Sequence, residues 1–190
     1  MPAIWTNDGD RWKLTQPDGF PDKATLHQLI EDTPSMLPLA GSPDLVILDS
    51  EVQLGTGYAD LLAVETTGRP VLIEAKLASN AEARRAVVAQ LLAYAACLHE
   101  MTATQLEEGP LHRRLHSDGH ARILDAVLAH DQEGAVNADD FNAALEAHLA
   151  EGRFRLVLVL DDAPAELVAL VAYLEHIASE LQIDLITVSA

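Results

Sequence analysis

The sequence predicts an α/β fold in which a mixed central β-sheet is flanked by helices. Three observations carry that expectation. Three strand-like runs, Leu45 to Leu54, Tyr58 to Thr66 and Pro70 to Leu77, are separated only by short Gly-containing turns. A helix-length stretch follows that is apolar on nearly every side and therefore belongs against such a sheet. The chain closes with strand, helix, strand from Phe154 to Val188, the pattern of a parallel pair joined by a right-handed crossover.

Each element has a local cause. The short runs Ala3 to Thr6 and Trp12 to Thr15 flank Asn7-Asp8-Gly9-Asp10, which is turn chemistry, so a hairpin is expected. From Asp22 to Asp32 the residues Leu26, Leu29 and Ile30 fall at helical spacing, Asp22 is placed to cap, and Pro34 stops the run. The three strands then read as a meander through Gly55-Thr56-Gly57 and Thr66-Thr67-Gly68-Arg69. Asn80 is the cap of a helix to about Glu100, a polar helical region covers about Pro110 to His130, and Asn137 caps a helix ending near Gly152. Phe154 to Leu160 is a fully apolar strand, Asp162 with Pro164 opens a helix to about Leu181, and Ile183 to Val188 is the last strand.

With 190 residues, 49% of them hydrophobic and no internal repeat or linker, the chain reads as a single domain, 1–190. It comprises an N-terminal hairpin extension (1–20), a core (22–98), a helical segment (99–152) and a closing β-α-β unit (153–190). One cysteine, Cys97, excludes an internal disulfide and suits a reducing cytoplasm. The first ten residues carry neither a basic nor an apolar signal region. The longest uncharged run, Ala86 to His99, falls short of the roughly 20 apolar residues of a membrane span.

The charge is lopsided, with 30 Asp and Glu against 12 Lys and Arg and a net charge of -18. A polyanion does not adhere to such a surface at large. The excess is unevenly spread: residues 69–122 hold seven basic and six acidic groups, while both flanks are strongly acidic. Any nucleic-acid contact is therefore expected in one local cleft.

The chemistry-bearing residues lie in the meander and the helix after it. In the run Pro70 to Leu77, Glu74 and Lys76 share one face by strand alternation, and Asp60 is a carboxylate embedded in the preceding apolar run. Burying charges on a core strand is tolerable only if they pair, bind metal or line a cleft. A three-residue loop at Thr66-Thr67-Gly68, with Gly68 at positive φ, sets Glu65 opposite Arg69 and Asp60 opposite Glu74; a two-residue loop would send Asp60 to the other face. Two facing carboxylates repel unless a cation lies between them, and hard oxygen ligands with open positions suit Mg²⁺ or Mn²⁺. Such an ion neutralises a phosphate and lowers the pKa of bound water, leaving Lys76 to orient that water. The alternative is an ion pair of Glu74 with Lys76 at a sheet edge, with Asp60 solvated. In the helix, Ala83, Ala86, Gln90, Ala93, Tyr94 and Cys97 form a small-residue stripe expected to approach the sheet, with Gln90 and Tyr94 as its polar tips.

Tyr58-Ala59-Asp60, then Leu72-Ile73-Glu74-Ala75-Lys76 after a Gly-containing hairpin, then Gln90-x-x-x-Tyr94 in the next helix resemble the PD-(D/E)XK nuclease superfamily. The likeness is to its RecB-like branch, which carries a Gln-x-x-x-Tyr helix motif, and spans about residues 22 to 98. The resemblance implies a restriction endonuclease-like core. It implies metal binding by Asp60, Glu74 and the backbone carbonyl of Ala75, with Lys76 as the catalytic lysine and Gln90 and Tyr94 contacting substrate or supporting the site. The implied activity is Mg²⁺- or Mn²⁺-dependent hydrolysis of DNA phosphodiester bonds, by an endonuclease of repair, restriction or defence.

The sequence departs from the family pattern in two places. Ala59 stands where the motif nominally has proline. Relatives often carry a first-helix Glu that completes the metal site, whereas here the region reads Asp22-Lys23-Ala24, so Asp22 or Glu31 is the candidate ligand. The competing class is a catalytically inactive module of the same fold that serves as a protein–protein or regulatory subunit. Expected partners are DNA in the local cleft and either a second copy, presenting two sites to two strands, or a basic protein; no membrane is implied.

Weaker signals complete the reading. Arg84 and Arg85 on the helix bearing Gln90, and Arg113, Arg114 and Arg122 beyond it, are candidate phosphate contacts at a cleft edge. His112, His116 and His120 recur every four residues but read as a solvated surface, and Cys97 reads as a packed thiol. Trp5, Trp12 and Phe20 read as cover for one edge of the core. No nucleotide-binding loop or serine-nucleophile elbow occurs.

Overall fold

The computed structural model describes residues 4–7, 12–15, 22–77, 81–99, 101–178 and 180–188, the segments 4–7, 12–15 and 81–85 by their backbone. Asn80, Phe20 and the turn at 8–11 lie outside the described residues, as do the side chains of Trp5, Trp12, Arg84 and Arg85.

Strands β1 (Ile4–Asn7) and β2 (Trp12–Thr15) form the expected antiparallel hairpin, Ile4 opposite Thr15. Helix α1 (Lys23–Asp32) starts where its cap demands, with the Asp22 carboxylate accepting from the Thr25 N–H at 2.7 Å. A 3₁₀ turn, Pro34–Met36, then leads to β3 (Leu45–Leu54), β4 (Gly57–Glu65) and β5 (Pro70–Lys76). The remaining elements are α2 (Ala81–His99), α3 (Ala103–Glu108), α4 (His112–Ser117), α5 (Ile123–His130), α6 (Ala138–Glu151), β6 (Arg155–Leu160), α7 (Ala165–Ile177) and β7 (Gln182–Thr187). The single helical region expected over 110–130 is broken in two. Gly119 at φ +81° ends α4, and Arg122 in extended conformation restarts the chain as α5.

The main sheet has the order β3-β4-β5-β6-β7. Its first two pairings are antiparallel and its last two parallel, so the sheet is mixed as expected. β5 is the middle strand, which excludes the alternative of an ion pair at a sheet edge. The β4–β5 register runs Leu61 to Ile73 through Val64 to Pro70, and the Glu65 N–H donates to the Arg69 carbonyl. That is the register of the three-residue loop. Gly68 supplies the required φ of +89°, and a Cβ there would sit 2.9 Å from the Phe141 carbonyl oxygen.

Both faces of the sheet are covered, as an apolar central strand requires. One face carries the larger core, in which Leu62, Val64, Leu72 and Leu158 meet Val87, Leu91, Leu98, Phe141 and Leu145 of the helices. The other is closed by Leu26 and Ile30 of α1 with Leu37 and Leu39, over Leu61, Ala63, Val71 and Ile73. Of the small-residue stripe, Gln90 and Tyr94 reach the sheet as expected, but Ala86 and Ala93 do not. Ala86 and Ala93 are exposed, while Val87, Val88, Leu91, Tyr94, Ala95 and Leu98 are buried. Removing large aliphatic side chains from water outweighs what closer approach through alanines offers. The close approach occurs instead at Gly57, where a Cβ would lie 2.7 Å from the Tyr94 hydroxyl.

Candidate active site

The β4–β5 ladder ends at Leu61–Ile73, and just beyond it the two carboxylates join the strands. Asp60 Oδ2 accepts from the Ala75 N–H at 2.9 Å, and Glu74 Oε2 accepts from the Asp60 N–H at 3.4 Å. The pair is fixed by backbone donors, which removes rotamer freedom before any ligand arrives. Asp60 is 3% and Glu74 2% exposed, so Asp60 is not the solvated residue of the alternative reading. Burial first, and the neighbouring Asp60 charge second, push the Glu74 carboxyl up from 4.5 to about 7, against the opposing pull of Lys23, the Asp60 N–H and Lys76.

From the α2 side, Gln90 Nε2 donates to Glu74 Oε1 at 3.2 Å and to the Tyr94 hydroxyl at 2.8 Å. The Tyr94 hydroxyl in turn donates to the Tyr58 carbonyl at 2.8 Å. One turn of helix places the two polar tips together, and the chain of bonds ties Glu74 back to the strand that carries Asp60. Lys76 lies half-buried at the end of β5, opposite Leu160, and its charge favours the ionised form of Glu74.

The first helix contributes residues other than those expected. Asp22 is spent on the cap, and Glu31 lies 3.5 Å from Arg114. The metal-capable group among the described residues holds Asp60 but neither of these two, and it does not include Glu74. Instead Lys23 Nζ lies 2.6 Å from Asp60 Oδ1 and 4.0 Å from Glu74 Oε1. His27, one turn on, places Nε2 2.8 Å from the Asp60 carbonyl oxygen. Sequence reasoning missed both, although their spacing of four beside the apolar pair Leu26 and Ile30 puts them on one face of the helix. It also missed Glu51, held at φ +52° on the bulged strand β3. His27, Glu51 and Asp60 each offer a ligand atom within 4.8 Å of one another.

These donors fit a hard divalent cation. The Glu51 carboxylate and the His27 imidazole lie near the Asp60 carboxylate, and an ammonium already marks a position that demands positive charge. A cavity of about 430 Å³ opens beside Glu51, lined also by Gln53, Tyr58 and Arg113. Arg114 is engaged by Asp118 at 2.6 Å and by Glu31. His112 and His116 stack with ring centroids 4.8 Å apart and belong to no metal-capable group among the described residues. Cys97 is half-buried against the main core.

The chain is thus an α/β protein whose mixed sheet carries a buried carboxylate pair at the splayed end of its central hairpin. No family model matches it, and no curated protein matches it. Among solved structures, a chain of the EndoMS-dsDNA2 complex matches 96% of this chain at 17% identity with a TM-score of 0.44, and this chain spans 49% of that one. That likeness assigns no role to any residue here. No helix among the described residues is long and apolar enough to cross a membrane.

Proposed function

We propose that the chain is a divalent-metal-dependent nuclease of the PD-(D/E)XK type that hydrolyses DNA phosphodiester bonds. The observation that carries the reading is the Asp60–Glu74 pair, held by backbone N–H groups and drawn around a cation. Asp60, Glu74 and the Ala75 carbonyl would hold Mg²⁺ or Mn²⁺, with His27 and Glu51 within reach of the same Asp60 carboxylate. Bound there, such an ion supplies Lewis acidity toward a phosphate oxygen and a lowered pKa for water. Lys76 orients the attacking water and stabilises charge developing on the phosphate. Gln90 and Tyr94 are positioning residues: they fix the Glu74 carboxylate through the bond chain to Tyr58. Arg113, on the wall of the adjoining cavity, is the phosphate contact at the cleft edge.

The net charge of -18 leaves binding to that cleft, with affinity that falls steeply as salt rises. A second copy would give two sites for two strands, whereas the remaining attraction would come from a basic protein partner. A second reading, an inactive regulatory module, is favoured by one observation: Lys23 already neutralises the carboxylates without metal. Incubation of supercoiled and single-stranded DNA with Mg²⁺ or Mn²⁺, wild type beside Lys76→Ala and Asp60→Asn, decides between them. Metal-dependent cleavage by the wild type, lost in both variants, supports the nuclease. Equal cleavage by all three, or none by any, overturns it.

A further inference from the structure

The ammonium of Lys23 faces the two carboxylates that would hold a metal ion. Of the four oxygens of the carboxylate pair, Asp60 Oδ2 is taken by the Ala75 N–H, Glu74 Oε2 by the Asp60 N–H and Glu74 Oε1 by Gln90. Asp60 Oδ1 faces Lys23 at 2.6 Å, and the same ammonium is 4.0 Å from Glu74 Oε1. Oδ1 is the oxygen these bonds leave open to a divalent ion, and an ion held there would compete with the ammonium for it.

Two further observations separate Lys23 from an ordinary structural ion pair. It sits at the first residue of α1, where the helix dipole disfavours positive charge, so among the described residues it is the carboxylates that keep its head in place. Its side chain is 40% exposed, so the head can swing into solvent by rotamer change while Leu26, Ile30 and the bond from His27 to the Asp60 carbonyl keep the helix docked.

We infer that Lys23 is a tethered cation that competes with the divalent ion for the Asp60–Glu74 pair, so that the first helix holds the site charge-balanced until metal displaces the lysine. This rests on the metal-dependent reading above and adds its regulation: metal occupancy and the Lys23 contact are mutually exclusive.

The test is metal binding to the full chain without DNA. Mn²⁺ affinity is measured by electron paramagnetic resonance for the wild type, Lys23→Met and Asp60→Asn. Lys23→Met is expected to bind Mn²⁺ about tenfold more tightly, the cost of breaking one charge-assisted bond. It should also melt lower than the wild type in chelator, with the gap closing in Mn²⁺, and Asp60→Asn should not bind. Because Lys23→Met leaves two buried carboxylates uncompensated, a second measurement uses the wild type alone. The chain has only three lysines, Lys13, Lys23 and Lys76, so side-chain ¹⁵N spectra follow the Lys23 ammonium directly, and saturating Mg²⁺ is expected to shift it. Unchanged or weaker Mn²⁺ affinity in Lys23→Met, or a Lys23 signal indifferent to Mg²⁺ that shifts Lys76, overturns the competition and leaves the metal site standing. No binding by wild type and Lys23→Met alike, with no lysine signal moved, overturns both.

Discussion

Replacing Glu74 by Gln keeps the shape of the side chain while removing a buried carboxyl whose pKa is raised. One of its two accepting oxygens becomes an NH₂ that faces a donor, Gln90 Nε2 or the Asp60 N–H, at a cost that does not depend on pH. The Glu74 carboxyl is raised from 4.5 to about 7 by burial and by the charge of Asp60. The folded state therefore holds this proton more tightly than the unfolded state does. Below about pH 4.5 both states are protonated and Glu74 costs nothing. Between about 4.5 and 7 the unfolded chain releases the proton first, so stability falls as pH rises, and above 7 the full cost of ionising the buried group is present. At 1.36 kcal/mol per pKa unit the fall between pH 5 and pH 8 is roughly 2–3 kcal/mol, equivalent to several degrees in Tm for a domain of this size. The assay is urea unfolding followed by circular dichroism, in chelator, at pH 5, 6, 7 and 8. The quantity read is the stability of Glu74→Gln minus that of the wild type, in which contributions from groups remote from the site cancel. It should climb by about that amount from pH 5 to pH 8 with an unchanged denaturant slope. A difference that stays flat, or that falls with pH, would refute the assignment of burial and Asp60 as the forces on Glu74.

Three other outcomes follow from the geometry. Gly68→Ala places a Cβ 2.9 Å from the Phe141 carbonyl at φ +89° and should destabilise by at least about 2 kcal/mol in thermal melts, whereas alanine at Gly134, open within 4 Å, should cost less. Asp22→Ala should lower Tm through loss of the α1 cap yet leave Mn²⁺ affinity unchanged, since its carboxylate bonds Thr25 and not the Asp60 site; weakened metal binding would restore it as a ligand. Arg155, 3% exposed and 3.1 Å from both Glu65 and Asp184, is the cation of a buried ion cluster. Arg155→Met should cost about 3–5 kcal/mol in urea unfolding, and recovery in a triple variant that also carries Glu65→Gln and Asp184→Asn would identify the uncompensated carboxylates as the cause.

Much of the fold is legible in residue order because its causes are local. β-Forming runs between glycine-containing turns mark β3, β4 and β5, caps at Asp22 and Asn137 mark helix starts, and the αL glycine at 152 marks a helix end. The Asp60–Glu74 register is legible for the same reason: a three-residue loop with Gly68 at positive φ admits one pairing parity. What was misread depends on neighbours distant in sequence. The inward face of α2 is set by which side chains lose most water against the sheet, so Val87 and Leu91 prevail over Ala86 and Ala93.

The same division runs through the site. Asp60, Glu74, Lys76, Gln90 and Tyr94 lie within 35 consecutive residues, on two strands and a helix whose phases follow from periodicity, so the sequence by itself determined that Asp60 and Glu74 would face each other and that Gln90 and Tyr94 would share a helix face. Only the tertiary structure decided which cation faces the pair. That Lys23 and His27, rather than Asp22 or Glu31, reach Asp60 depends on how α1 packs Leu26 and Ile30 against the sheet. That Glu51 joins them depends on a bulge in β3. Local pattern specifies direction along one element; it does not specify the rotation and depth at which two elements meet, and the identity of the group opposite a buried charge is set by those two quantities.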